Sequence, residues 1–124
     1  MLAIHADQLR EHGGLPGVRD SNALDSALNR APMQFHYKPD SDLFTLAAAY
    51  GFGVATSHPF TDGNKRTAFL CMYVFLGLNG HRIITSEPEV VALMLDVAAG
   101  TIAEGTLADW LRTHAEPRQR MPCA

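Results

Sequence analysis

One run in the 124-residue chain joins a histidine, a carboxylate, a glycine and two cations: Ser57-His58-Pro59-Phe60-Thr61-Asp62-Gly63-Asn64-Lys65-Arg66-Thr67. Those residue types suit phosphoryl transfer, which needs a ligand for magnesium on the phosphates, cations against the developing charge, and a base near the attacking hydroxyl. Asp62 meets the first need, since magnesium is typically held by one or two carboxylates plus substrate phosphates. His58 meets the third, because imidazole exchanges protons near neutral pH. Pro59 restricts the residue before it and ends the incoming helix, and Gly63 permits a turn that a Cβ would hinder. Asn64, Lys65 and Arg66 then fall on the first turn of the next helix, where backbone N–H groups lack intrahelical partners and the dipole is positive. Acidic side chains suit that place better than two cations. A bound anion accounts for them, with the amides and both cations converging on phosphate oxygens.

Each residue alone has a plainer explanation: Asp62 as a helix cap, Lys65 and Arg66 as solvated surface, Asn64 as a turn residue, His58 as a loop histidine. Jointly they are harder to dismiss, because a structural loop has no need of a base, a carboxylate and two cations within nine residues. Phe60 is assigned to structure, as a plug that anchors the loop in the core. No Gly-x-x-x-x-Gly-Lys-Ser/Thr occurs, so a Walker-type loop is excluded. The remaining histidines, His5, His12, His36, His81 and His114, are scattered without a His-Glu-x-x-His or Cys-x-x-Cys pattern, which argues against zinc.

The elements that must position this run are read from hydrophobic spacing and from Gly and Pro punctuation. Leu2, Ile4 and Leu9 form a short stripe stopped by Gly13-Gly14. Asp20 or Ser21 caps a second helix with Leu24, Ala27 and Leu28 on one face, and Pro32 marks its exit. Residues 31–40 lack a helical period and are bracketed by prolines, which predicts an extended loop or small flap. A third helix opens near Asp40 or Ser41, presents Leu43, Leu46, Ala47, Tyr50 and Val54, and ends near Ser57. The fourth, from about Asn64 to Leu78, is apolar almost all round and is the expected centre of the core. Asn79-Gly80 closes it. Ser86-Glu87-Pro88-Glu89 is a capping box that starts a fifth helix ending at Gly100, and Thr106 with Asp109 opens the last, carrying Leu107, Trp110 and Leu111. Only residues 81–85 and the flap are candidate strands. The expected fold is all-α: a compact single domain over residues 1–116, of about six helices with a central buried helix and a short flap, followed by a polar tail at 117–124.

Composition narrows the function classes. Apolar residues make up 47% and charged residues 19%, as in ordinary globular chains, so a disordered chain is not expected. Ten basic residues against thirteen acidic leave a formal charge of −3, which offers no footprint for a nucleic-acid backbone. The longest apolar run, residues 68–78, is too short to span a membrane, and the start has no basic-then-apolar stretch of secretory type. Cys71 and Cys123 do not make a disulfide framework. A cytoplasmic protein is expected.

The run from His58 to Thr67 resembles the signature of the Fic/Doc superfamily in its death-on-curing (Doc) branch. The resemblance extends through Gly13-Gly14-Leu15-Pro16-Gly17 with Arg19-Asp20, the helix at 24–28, and Phe75-Leu76 with Asn79-Gly80, covering about residues 1–112. It implies a compact all-α fold in which the loop and the following helix N-terminus bind a nucleotide while the histidine activates a target hydroxyl. Adenylyl-transferring Fic proteins carry His-x-Phe-x-Asp/Glu-Gly-Asn-Gly-Arg-x-x-Arg. Here the second glycine is Lys65 and the last arginine is Phe69. Lys65 would crowd the place where that glycine admits the β-phosphate, and Phe69 cannot bind phosphate.

The Doc branch has the Asn-Lys-Arg version, and the resemblance implies a reversed nucleotide with its γ-phosphate toward the histidine, hence protein phosphorylation. Carried over by position, His58 is the general base, Asp62 the Mg2+ ligand, and Gly63, Asn64, Lys65 and Arg66 the phosphate cradle for ATP. The implied target is a threonine of elongation factor Tu, and the implied partner a Phd-like antitoxin. Phe35 and Tyr37, on the expected flap, are read as holding the target in extended form, as in β-augmentation. Self-restraining Fic proteins carry Ser/Thr-x-x-x-Glu-Gly/Asn. The one glutamate here followed by Gly or Asn is Glu104, with Gly100 four residues before it, so restraint is expected in trans. Two rival readings remain at this stage: transfer of AMP to a protein hydroxyl, and a non-catalytic module that binds an antitoxin and represses its own operon.

Overall fold

The computed structural model describes residues 4, 6, 17–61 and 63–117. Ile4 and Ala6 are helical, and the rest of the predicted first helix lies outside the described residues, as does the tail at 118–124. Five further helices follow: α1 (Ser21–Tyr37), α2 (Leu43–Ser57), α3 (Asn64–Leu78), α4 (Glu87–Ala99) and α5 (Glu104–His114). A two-stranded antiparallel sheet completes the fold, with β1 (His81–Ile83) between α3 and α4 and β2 (Ala115–Pro117) directly after α5. The chain is predominantly helical, with an all-α core.

Local chemistry sets most boundaries. The Asp20 side chain accepts from the Ala23 N–H at 3.1 Å and opens α1; Asp42 accepts from the Thr45 N–H at 2.7 Å and opens α2. Ser86 caps α4 with proline in the first turn, and Gly100, left-handed at φ 82°, ends it. The helix predicted from Thr106 begins two residues earlier, at Glu104.

Two expectations are corrected. Residues 31–40 are not an extended flap, because α1 runs through Pro32 to Tyr37. Proline forfeits its own N–H bond and crowds the carbonyl four residues back, but Leu24, Ala27 and Ala31 bury one face right up to it, and the exposed last turn beyond is held by half-buried Gln34, whose carbonyl accepts from the Lys38 N–H and whose side chain meets Ser41. The non-helical link shrinks to residues 38–42, closed by Lys38 N–H to the Gln34 carbonyl and Gln34 Nε2 to Ser41 Oγ. The second correction concerns the centre of the core. It is α2, which packs against α1, α3, α4 and α5. Small residues make this close approach feasible: a Cβ on Gly51 would lie 2.3 Å from Met72 Sδ, and one on Gly53 would lie 3.2 Å from the Ala27 backbone. The bulkier α3 buries Thr67, Ala68, Cys71, Met72 and Leu76 but leaves Tyr73, Val74 and Leu78 exposed.

The sheet is short and ties the end of the fold to α3. His81 pairs with Pro117 and Ile83 with Ala115. Pro117 therefore pairs with the domain, where the sequence placed it at the start of the tail.

Candidate active site

The turn between α2 and α3 is held in an unusual backbone shape. His58 caps the C-terminus of α2 at φ 48°, ψ 57°, the one non-glycine residue with positive φ among those described. Gly63 caps the N-terminus of α3 at φ 76°, a conformation in which a side chain would be strained. Between them Pro59 and Phe60 are fully buried, and Phe60 joins the core, as its expected role as a plug requires.

Two remote groups fix the turn from either side. Across it, the Asn64 side chain accepts from the Phe60 N–H at 3.0 Å and donates through Nδ2 to the Phe60 carbonyl at 2.9 Å. Its amide is thereby committed to the loop, so the side chain expected in the phosphate cradle closes the turn, and its contribution to an anion is left to the backbone. From residues 17–20, Val18 bridges Phe60, Arg19 and Asp20 donate their N–H groups to the Pro59 carbonyl at 2.8 and 3.1 Å, and Thr61 donates to the Gly17 carbonyl at 3.1 Å. The Arg19 side chain adds Nε to the His58 carbonyl and Nη2 to the Ser57 carbonyl. No local pattern reveals this role, because the partners are 38 and 39 residues away.

Lys65 and Arg66 are exposed on the first turn of α3, which has no acidic residue and no side-chain cap. His58, Gly63, Asn64, Lys65 and Arg66 are thus brought together on one turn. Asp62 lies outside the described residues, and among those described no three His, Cys, Asp or Glu residues cluster as a metal site. A magnesium held on phosphates with one carboxylate needs no such cluster. The glycine-capped N-terminus with two exposed cations fits a polyphosphate. From Lys65 and Arg66 a groove of about 760 Å³ runs between α3 and α4 over Phe69, Tyr73, Val91 and Leu95. Farther along α3, burial pushes the Cys71 thiol up to about 11, so it is no nucleophile at neutral pH.

Phe35 and Tyr37 are not part of this constellation. They are exposed on the last turn of α1, whereas the first residues before α1 are those bonded to Pro59. A helix of 17 residues separates the two ends by about 25 Å at 1.5 Å per residue. Its backbone is also occupied by helical hydrogen bonds and offers no edge for strand pairing. Glu104, the one glutamate followed by glycine, pairs with Arg30 and joins α5 to α1. Among the described residues no helix is long and apolar enough to cross a membrane.

The family model described as Fic/DOC family matches residues 1–76, which includes the whole turn and most of α3. The chain belongs to the Fic/DOC family. Among its relatives, "Protein kinase doc" of Escherichia phage P1 is 35% identical over 112 residues, covering 90% of this chain and 88% of that protein. "Toxin Doc" of Mycolicibacterium smegmatis is 41% identical over 70 residues, covering 55% of this chain and 53% of the relative. Both place this Fic/DOC chain in the Doc branch that the Asn64-Lys65-Arg66 version of the motif indicated. The reversed cradle expected of that branch has its candidate groups gathered at a single helix junction.

Proposed function

We propose that this protein is a Doc-type toxin that transfers the γ-phosphate of ATP to a threonine hydroxyl of a translation protein, with elongation factor Tu as the first candidate. The observation that carries the reading is the first turn of α3: it presents Lys65 and Arg66, both exposed, on an N-terminus whose cap is Gly63, directly after a turn in which His58 is held left-handed. The family relation supplies the reaction class, and the name "Protein kinase doc" of the phage P1 relative favours phosphate over AMP.

The α3 amides at Gly63 to Arg66 and the two cations hold the phosphates and offset charge as it spreads over the transferred group. Asp62 would hold Mg2+ on the phosphates, where the ion would supply further charge neutralisation. His58 takes the proton of the target hydroxyl through a ring nitrogen as that oxygen forms the new P–O bond and ADP departs with the bridging oxygen. Strand pairing along residues 31–40 is not part of this reading, since the backbone through Tyr37, Phe35 included, is helical. Restraint falls to a Phd-like antitoxin in trans: Glu104 is engaged with Arg30 and lacks the Ser/Thr four residues before it.

The test is transfer to purified elongation factor Tu from α- and γ-labelled ATP, with the wild type and His58→Ala. Label from the γ position alone, lost at least a thousandfold in His58→Ala, is the expected result, because removing one member of a catalytic unit removes most of its effect. Label from the α position would establish AMP transfer. Undiminished growth arrest by His58→Ala would establish the non-catalytic module.

A further inference from the structure

The backbone of His58 is gripped by a side chain that the catalytic reading does not use. Arg19 donates through Nε to the His58 carbonyl at 2.9 Å and through Nη2 to the Ser57 carbonyl at 3.1 Å. These carbonyls lie at the C-terminus of α2, where the last C=O groups have no intrahelical donor and the helix dipole is negative. A planar guanidinium suits both: its forked donors reach two neighbouring oxygens and its charge complements the dipole, which a lysine ammonium can do at one point only. Between the two bonds sits the φ 48°, ψ 57° backbone of His58. Residues other than glycine take up that conformation uncommonly, histidine more readily than most, and fixed contacts on either side hold it in place.

We infer that Arg19 is a positioning residue: its guanidinium locks the left-handed backbone at 58 and so sets the direction of the imidazole. The inference rests on the proposed role of His58 as the base. The direction of Cβ from Cα follows from φ and ψ, so release of residue 58 toward ordinary right-handed or extended backbone swings the ring away from the phosphates of α3. The Arg19 side chain is separable from the docking of its own segment. Three backbone hydrogen bonds persist in any Arg19 variant: Arg19 N–H to Pro59 and Thr61 N–H to Gly17, which together make the Val18–Phe60 bridge, and Asp20 N–H to Pro59.

Arg19→Ala and Arg19→Lys decide the matter when compared with the wild type for label transfer, KM for ATP, thermal midpoint and histidine ring NMR, the His58 signal being assigned by its loss in His58→Ala. Arg19→Ala is expected to lower kcat about ten- to a hundredfold, the scale of an ångström misplacement, while KM for ATP stays within about twofold. Arg19→Lys should fall between it and the wild type. The His58 ring signal should shift or broaden in Arg19→Ala while the signals of His36, His81 and His114 stay in place. A kcat within about twofold of wild type with an unmoved His58 signal overturns the inference. So does a loss of kcat that merely follows the loss of folded protein. If the wild type transfers no label at all, the kinase reading falls by itself, and the His58 ring signal alone then upholds or overturns the role of Arg19.

Discussion

The N-termini of α2 and α3 solve one electrostatic problem in opposite ways. At α2, the Asp42 carboxylate occupies the positive end of the helix, accepts from the Thr45 N–H, and is itself held by Arg112 Nε at 2.8 Å and Nη2 at 3.2 Å. Anion, amides and guanidinium are all supplied by the chain, and the site is closed. At α3 the cap is Gly63, no side chain caps the helix, no acid lies in the first turn, and Lys65 and Arg66 face solvent. There the described first turn offers amides and two exposed cations with no acid among them, the arrangement on which the proposed phosphate site rests. The first arrangement is closed structure, and the second is the candidate binding site. The same physics of dipole and hydrogen bond separates them.

Charge reversal breaks the contrast most severely. Making the first turn of α3 acidic, with Lys65→Glu and Arg66→Glu together, should weaken Mg–ATP binding on the order of a thousandfold, since two charge-assisted contacts are each worth about 1.5–3 kcal/mol. Lys65→Glu alone should meanwhile raise stability by about 0.3–1 kcal/mol, because a carboxylate suits a helix N-terminus. Calorimetric titration and urea unfolding read the two effects. A variant that loses stability along with affinity would mean that the cations serve the fold, and the two N-termini would then differ less than their charges suggest.

The next test concerns what keeps the α3 turn open to a ligand. Asn64→Ala removes both bonds to the Phe60 backbone and should cost about 2 kcal/mol, from two hydrogen bonds at about 1 kcal/mol each. Asn64→Asp keeps an acceptor for the Phe60 N–H and loses the donor to its carbonyl, so its thermal midpoint should lie between those of Asn64→Ala and the wild type. If Asn64→Ala melts like the wild type while ATP binding falls, the side chain belongs to the cradle after all.

Asn64 also shows where legibility stops. The bounds of α3 follow from Gly63 and from Asn79-Gly80, and they are the bounds the structure shows. The candidate run stands out by local signals too, because its residue types conflict with a helix N-terminus. The side-chain bonds of Asn64 span four residues, yet turn and cradle predict the same residue type at that position, so geometry had to choose. Arg19 was beyond reach, because nothing near residue 19 refers to residue 58. Pro32 misled in another way: it is a strong local break, yet the helix, anchored by the buried Leu24, Ala27 and Ala31 just before it, runs on for one more, largely exposed turn. Small residues misled as well. The Ala- and Gly-rich α2 lies at the centre because close approach needs little side chain, whereas the bulkier apolar α3 keeps one face exposed.

The smallest effect tests the closed site by titration. The Asp42 carboxyl is lowered from 3.8 to about 2, chiefly by the hydrogen bond from Arg112, with the Thr45 N–H and hydroxyl adding to it against a raising effect of burial. A depressed folded-state value stabilises the protein above the unfolded value near 4, and that contribution is lost as pH falls through about 2. Asp42→Asn keeps a competent cap for Thr45 and removes the titration. The stability difference between wild type and Asp42→Asn should therefore be present at pH 6 and shrink toward zero as the pH approaches 2. Both partners are well over a third exposed, so solvent screening holds the difference below about 1 kcal/mol, and added salt should reduce it further. A difference independent of pH would mean that Arg112 does not hold the cap as an ion pair. The α2 site would then be closed by the neutral Thr45 contact alone, and the parallel between an internal carboxylate at α2 and an external phosphate at α3 would rest on the amides without the cations.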